Sequence, residues 1–133
     1  MSVRYLLDTD WVIHYLNGHP TITQRLGELY TDGLAISVVS LAELYEGVYY
    51  SRDPQRDEEL LENFLASITL LSIDEETCKI FGKERGRLRA TGKTIGDFDL
   101  LIGSLALQHH LTLLTNNRRH FEVITGLTLE SLQ

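Results

Sequence analysis

The sequence predicts an α/β fold built on a central, mainly parallel sheet. Three observations carry that expectation. Short apolar segments alternate with longer stretches of helical periodicity. The apolar segments are continuous rather than alternating in polarity, which suits strands covered on both faces. Polar residues that can do chemistry follow directly after these segments, at the carboxyl edge where open parallel sheets bind ligands. Right-handed crossovers are expected between the strands.

The elements follow in order. VRYLL (3–7) is the first strand and runs into Asp8. A helix follows from about Trp11 to Leu16, ended by the Gly and Pro of NGHP (17–20). TITQRLGELY (21–30) is a second helix, with Pro20 at its start. LAISVV (34–39) is rich in β-branched residues and reads as the second strand. SLAELYEGVYYS (40–51) begins the next helix, and its SLAE has the spacing of a capping box. DPQRDEELLENFLASI (53–68) is an amphipathic helix opened by Pro54, and TLLSI (69–73) a third strand. DEETCKIFGKERGRLRATG (74–92) is a long helix with acids first and bases last, as its dipole favours; Cys78 reads as a buried residue within it. IGDFDLLIGSLALQHH (95–110) is a further helix, LTLLT (111–115) the fourth strand, and GLTLES (126–131) a last short one. The sheet should thus hold four to five strands.

Composition limits the function. With 133 residues, the chain is expected to form a single domain, 1–133, around one core. Its formal net charge of −7 argues against a surface that grips nucleic acid through basic residues. Either no nucleic acid binds, or the acidity sits in a metal site that bridges to phosphate. The apolar runs are too short for a membrane span, so no membrane partner is expected. The opening MSVRYLLDTD lacks a signal-peptide layout, and the lone Cys78 permits no internal disulfide. A cytoplasmic location is the expectation.

The stretch LLDTDWVI (6–13) poses the chemical question. Asp8, Thr9 and Asp10 follow the first strand, Ser40 and Glu43 follow the second, and Asn116 and Asn117 follow the fourth. GDFD adds Asp97 and Asp99 at the start of the helix leading into that strand. Asp8, Glu43 and Asp99, far apart in sequence, are therefore expected to meet on one rim. Carboxylates so gathered repel one another unless a cation neutralises them. An all-oxygen set suits Mg²⁺ or Mn²⁺ rather than zinc. Such a site activates water and clamps a phosphate.

Plainer roles compete with these. Asp8 or Asp10 can cap the first helix, Asp97 can cap the helix of TIGD, and SLAE can be only a capping box. Asn116 and Asn117 suit a turn, and His109 and His110 a helix C-terminus. Arg85, Arg87 and Arg89 read as a solvated face, and Tyr45, Tyr49 and Tyr50 as core or interface. Asp99 is harder to explain in this way, because it lies within the apolar run that ends in LLIGSLAL.

Two families resemble the chain. The Asp-x-Asp of LLDTDWVI fits the first motif of haloacid-dehalogenase-like phosphatases, with Asp8 as nucleophile and Asp10 as general acid/base. That scheme gives Glu43 no role, and Lys93 follows a helix rather than a strand. A non-catalytic interaction module is the other alternative. The broader resemblance covers nearly the whole chain through YLLDTDWVI (5–13), ISVVSLAELYEGV (36–48), GKTIGDFDLLIGSLAL (92–107) and LTLLTNNRRHFEVITGLTLES (111–131). These stretches resemble, in order and spacing, a PIN-domain protein of the VapC toxin-ribonuclease type. The resemblance implies a three-layer α/β/α sandwich with Asp8, Glu43 and Asp99 as metal-binding acids. It implies Mg²⁺- or Mn²⁺-dependent cleavage of RNA, a VapB-type antitoxin covering the active site, and a homodimer. Asn116 or Asn117 would position a water or the phosphate. The chain departs from the family at Asp10, where Asn or Ser is common. It departs again after the fourth strand, where Asn116, Asn117 and His120 stand in place of a further acid.

Overall fold

A computed structural model describes residues 2–132. The chain runs β1 (Tyr5–Leu7), α1 (Thr9–Leu16), α2 (Pro20–Leu29), a short 3₁₀ turn (Tyr30–Asp32), β2 (Leu34–Ser37), α3 (Val38–Tyr49), α4 (Pro54–Leu65) and β3 (Thr69–Leu71). It continues with α5 (Glu75–Ala90), α6 (Asp97–Gln108), β4 (Thr112–Leu114), α7 (Arg118–Phe121) and β5 (Thr128–Glu130). The five strands form one parallel sheet in the order β3-β2-β1-β4-β5.

Side-chain alternation along these strands builds the three layers. Leu7, Ile36 and Leu114 stand in register and enter the core beneath α1, α2 and α4, with Trp11, Ile22, Leu26 and Leu61. Leu6, Ala35 and Leu113 point the other way, into a core with Leu88, Leu100, Leu105 and Phe121 from α5, α6 and α7. Both faces of the central strands are thus covered by helices, which is why Leu6, Leu7, Ala35, Ile36, Leu113 and Leu114 are all buried, whereas the edge strands β3 and β5 are only partly covered.

Several boundaries differ from the sequence expectation. The second strand stops at Ser37, not Val39, because the Ser37 hydroxyl accepts from Ser40 N at 3.0 Å and caps α3. SLAE is therefore no capping box; Glu43 sits in the second turn. Gly96, not Asp97, occupies the cap position of α6. Asp97 instead pairs with Arg85 at 2.6 Å, and Arg85 also donates to Ile95 O. Arg87 reaches Glu84 and the carbonyl of Val123. The expected solvated arginine face is thus partly a set of ties from α5 to its neighbours. Cys78 is exposed rather than buried. Tyr49 and Tyr50 are also exposed, though Tyr49 stacks on Tyr45. The short helix α7 has no counterpart in the sequence reading.

The strand order sets where a ligand can enter. From β1 the chain moves to β2 and β3 on one side, then crosses back to β4 and β5 on the other. The crevice at the carboxyl ends of β1 and β4 is this sheet's switch point.

Gly33 fixes the other end of β1. Its carbonyl accepts from both Arg4 N and Tyr5 N, and its φ is +92°. A Cβ there would stand 2.5 Å from Ser2 O and 2.9 Å from Val3 Cα. Gly18 also has positive φ, yet a Cβ there meets nothing within 4 Å. Gly18→Ala should cost roughly 1 kcal/mol of stability, the backbone term alone. Gly33→Ala should cost at least about 2 kcal/mol, because backbone must also move. Urea denaturation of both variants checks the difference; equal costs would contradict the close approach.

Candidate metal centre

The site grows from the last residues of the strands. Register places Leu7 beside Leu114, so Asp8 and Thr115 leave the sheet side by side. Asp8 N donates to Leu114 O at 2.9 Å, and the Thr115 hydroxyl donates to Asp8 Oδ2 at 2.7 Å. The other carboxylate oxygen accepts from Thr9 N at 2.8 Å and caps α1. Asp8 is therefore both the helix cap and the residue held at the switch point. It is only 3% exposed.

Its surroundings are unfavourable for a charge. Burial pushes the Asp8 carboxyl up from 3.8 to about 7, and the nearby Asp10 and Asp99 push it the same way. The hydrogen bonds from Thr115 and Thr9 oppose the shift without cancelling it. Burial also raises Asp10, where Asn116 N–H and Trp11 N–H pull the other way. Asp10 Oδ2 accepts from Asn116 N at 3.0 Å, but buried Oδ1 has no partner.

The remaining acids arrive from two helices. Glu43 is half-buried on α3, and its Oε1 accepts from the Thr9 hydroxyl at 2.7 Å. Asp99 lies in the first turn of α6, where the helix dipole favours a carboxylate. Its Oδ2 is 3.1 Å from His120 Nδ1. Asp99, Arg119, His120 and Thr94 line a cavity of about 530 Å³. Glu43 borders a second groove of about 430 Å³ between α1, α3 and α4, with apolar walls from Ile13, Leu16, Leu44, Val48 and Leu60.

The expected residues thus meet unequally. Asp8, Asp10 and Asp99 feel one another electrostatically, and Glu43 joins them through Thr9. Asn116 is turned inward: its Oδ1 accepts from Trp11 Nε1 at 3.0 Å and Leu132 N at 2.9 Å. Asn117 is exposed at the rim, and its N–H donates to the Thr115 hydroxyl. Asp97 faces α5 instead. Sequence reasoning named Thr9 without giving it a role and passed over Thr115, the two hydroxyls that bond Glu43 and Asp8. One signal was available: Thr115 ends the fourth strand as Asp8 ends the first.

Among the described residues, no group of three or more His, Cys, Asp or Glu side chains lies close enough to hold a metal ion. The cluster is a set of facing carboxylates rather than a closed shell. Its chemistry still fits a hard divalent cation. An acid raised mainly by burial and further by two acidic neighbours, and an orphaned carboxylate oxygen, both call for positive charge. Ser40 Oγ, buried in the first turn of α3, is likewise without a partner.

Comparison with known proteins is decisive at this point. The PIN domain family model matches residues 5–127. The chain belongs to the PIN-domain family. It is 34% identical over 129 residues to Ribonuclease VapC2 of Rickettsia felis, with 96% of each chain covered. It is 31% identical to the tRNA(fMet)-specific endonuclease VapC of Shigella flexneri, over 96% of this chain and 97% of that one. Its fold superposes with a TM-score of 0.92 on a chain in the crystal structure of VapBC2 from Rickettsia felis bound to a promoter DNA fragment. That match has 32% identity and covers 98% of this chain and 100% of the other. The PIN assignment overturns the haloacid-dehalogenase-like alternative, and the expected three-layer α/β/α sandwich is the one observed.

The raised Asp8 carboxyl has a thermodynamic consequence in this PIN domain. Between about pH 4 and 7 the folded state holds the Asp8 proton more tightly than the unfolded state. Stability from this group is therefore greatest at low pH and falls as pH rises towards 7. With chelator present, Asp8→Asn should raise stability at pH 7.5 by roughly 1 to 3 kcal/mol and leave it nearly unchanged at pH 4. Thermal unfolding of both proteins across pH checks this. A variant less stable than wild type at pH 7.5 would show that the carboxylate is not strained.

Proposed function

We propose that this chain is a VapC-type toxin, a divalent-metal-dependent endoribonuclease that arrests growth until a VapB-type antitoxin binds it. The observation that carries the reading is the buried Asp8 at the β1/β4 crevice, facing Asp10 and Asp99. The ribonuclease names of its relatives and the toxin–antitoxin complexes among its structural neighbours support the activity and the partner. Residues 1–133 are read as a single PIN-like domain, since the sheet draws on strands from Tyr5 to Glu130.

Asp8, Glu43 and Asp99 would hold Mg²⁺ or Mn²⁺. When bound, the cation supplies a water of lowered pKa and a positive charge for the phosphate, which also reconciles an acidic protein with RNA. Thr115 and the amide of Thr9 fix the Asp8 carboxylate, and the Thr9 hydroxyl orients Glu43. Asn117, free at the rim, is better placed than Asn116 to position a water or the phosphate. Arg119 lines the cavity next to Asp99 and can contact an RNA phosphate there. A single-stranded or loop segment suits such a rim.

The apolar groove that borders Glu43 suits a segment of the antitoxin, which would then cover the acids. The proposed assembly is a homodimer with antitoxin bound. Among the described residues no helix is long and apolar enough to cross a membrane. A cytoplasmic location, with the RNA, completes the reading.

The test is cleavage of total RNA and of purified initiator tRNA by the metal-stripped chain. Cutting should require added Mg²⁺ or Mn²⁺ and stop with chelator. Asp8→Asn and Asp99→Asn should each slow it on the order of 100-fold and relieve growth arrest on expression. Undiminished cleavage in chelator, or full arrest by Asp8→Asn, would overturn the proposal.

A further inference from the structure

We propose that the segment Glu130–Leu132, where β5 leaves the sheet, is a positioning clamp that sets the carboxylates of Asp8 and Asp10 through Thr115 and Asn116. The inference rests on the ribonuclease reading of these acids.

The hydrogen bonds beyond β4 carry it. β4 and β5 pair in parallel, with Leu114 beside Glu130. Thr115 N continues that ladder by donating to Glu130 O at 3.0 Å. In an even parallel ladder the next bond would run from Leu132 N to Thr115 O. Side chains replace it here. The Ser131 hydroxyl donates to Thr115 O at 2.6 Å, and Leu132 N turns to Asn116 Oδ1 at 2.9 Å. One ladder bond thus becomes two, one to each residue that holds an acid. Thr115 passes the constraint to Asp8 through its hydroxyl, and Asn116 passes it to Asp10 through its amide N–H.

The clamp is itself held. Arg25 on α2 donates to both carboxylate oxygens of Glu130, at 2.7 and 3.0 Å. Arg118 donates to Ser131 Oγ at 3.3 Å, and Leu132 packs against the core that contains Trp11. A plain ladder bond would keep β5 paired equally well, so pairing alone does not account for the exchange. The acids do account for it. Asp8 and Asp10 repel each other, so their orientations depend on the hydrogen bonds from Thr115 and Asn116.

The experiment has two readouts on the full chain. Trp11 is its only tryptophan and donates its indole N–H to Asn116 Oδ1, so one NMR signal of the metal-free protein reports the loop. Leu132→Pro removes the amide donor and should speed solvent exchange of that indole proton about tenfold, while Leu132→Val should leave it unchanged. Cleavage of initiator tRNA with added Mg²⁺ or Mn²⁺ is the second readout, taken at a temperature where every variant is folded. Ser131→Ala should lower kcat about tenfold with KM within about twofold, and Ser131→Thr should restore kcat. An unchanged Trp11 exchange rate in Leu132→Pro overturns the proposal. So does an unchanged kcat in Ser131→Ala, or a loss that Ser131→Thr does not restore. If wild type cuts no RNA, the ribonuclease reading fails, and the Trp11 signal alone decides the clamp.

Discussion

A carboxylate buried where the sheet changes direction is the constraint that organises this protein. Asp8 cannot move to solvent, because its amide belongs to the β1/β4 ladder and its two oxygens are held by Thr9 and Thr115. It also cannot ionise comfortably, because it is dehydrated beside Asp10 and Asp99. The fold retains a group that costs stability at neutral pH. On the proposed function, a bound cation would offset that cost by replacing lost hydration with direct coordination.

The surrounding structure can be understood as support for this one residue. Parallel pairing aligns the ends of β1 and β4, so a threonine on one meets an aspartate on the other. The first turn of α1 then serves two acids at once, since the Thr9 amide caps through Asp8 and its hydroxyl reaches Glu43. Trp11, buried beneath, fixes Asn116 through its indole N–H. Asn116 in turn gives its amide N–H to Asp10 and so ties the loop after β4 to α1. Neither loop is free to carry its acids away.

Much of the fold was legible, and for a simple reason. Strands buried on both faces are continuous apolar runs, and these show in a single sequence. The placement of Asp8 at a strand end and of Asp99 at a helix start could be read from the sequence; Glu43, in the second turn of α3, reaches that side only through its bond with Thr9. What escaped notice depended on register and side-chain direction. Val38 and Val39 favour a strand by propensity, yet Ser37 caps a helix that includes them, so tertiary packing overrode propensity. Asp97 and Asp99 differ by two positions on one helix; one turns to Arg85 and the other to the acids. Asn116 read as a turn residue or one that positions a water or the phosphate, but its carbonyl faces Trp11 and the Leu132 amide. The role of Thr115 appears only once β1 and β4 are known to be neighbours.

The central claim is that a divalent cation relieves the strain of the buried Asp8 carboxylate. The most direct measurement is the thermal unfolding midpoint at pH 8 as Mg²⁺ or Mn²⁺ is titrated into the metal-free chain. A ligand that binds only the folded state raises that midpoint with its concentration. The account predicts a clear rise for wild type and almost none for Asp8→Asn. An equal rise in both proteins, or none in wild type, would contradict it.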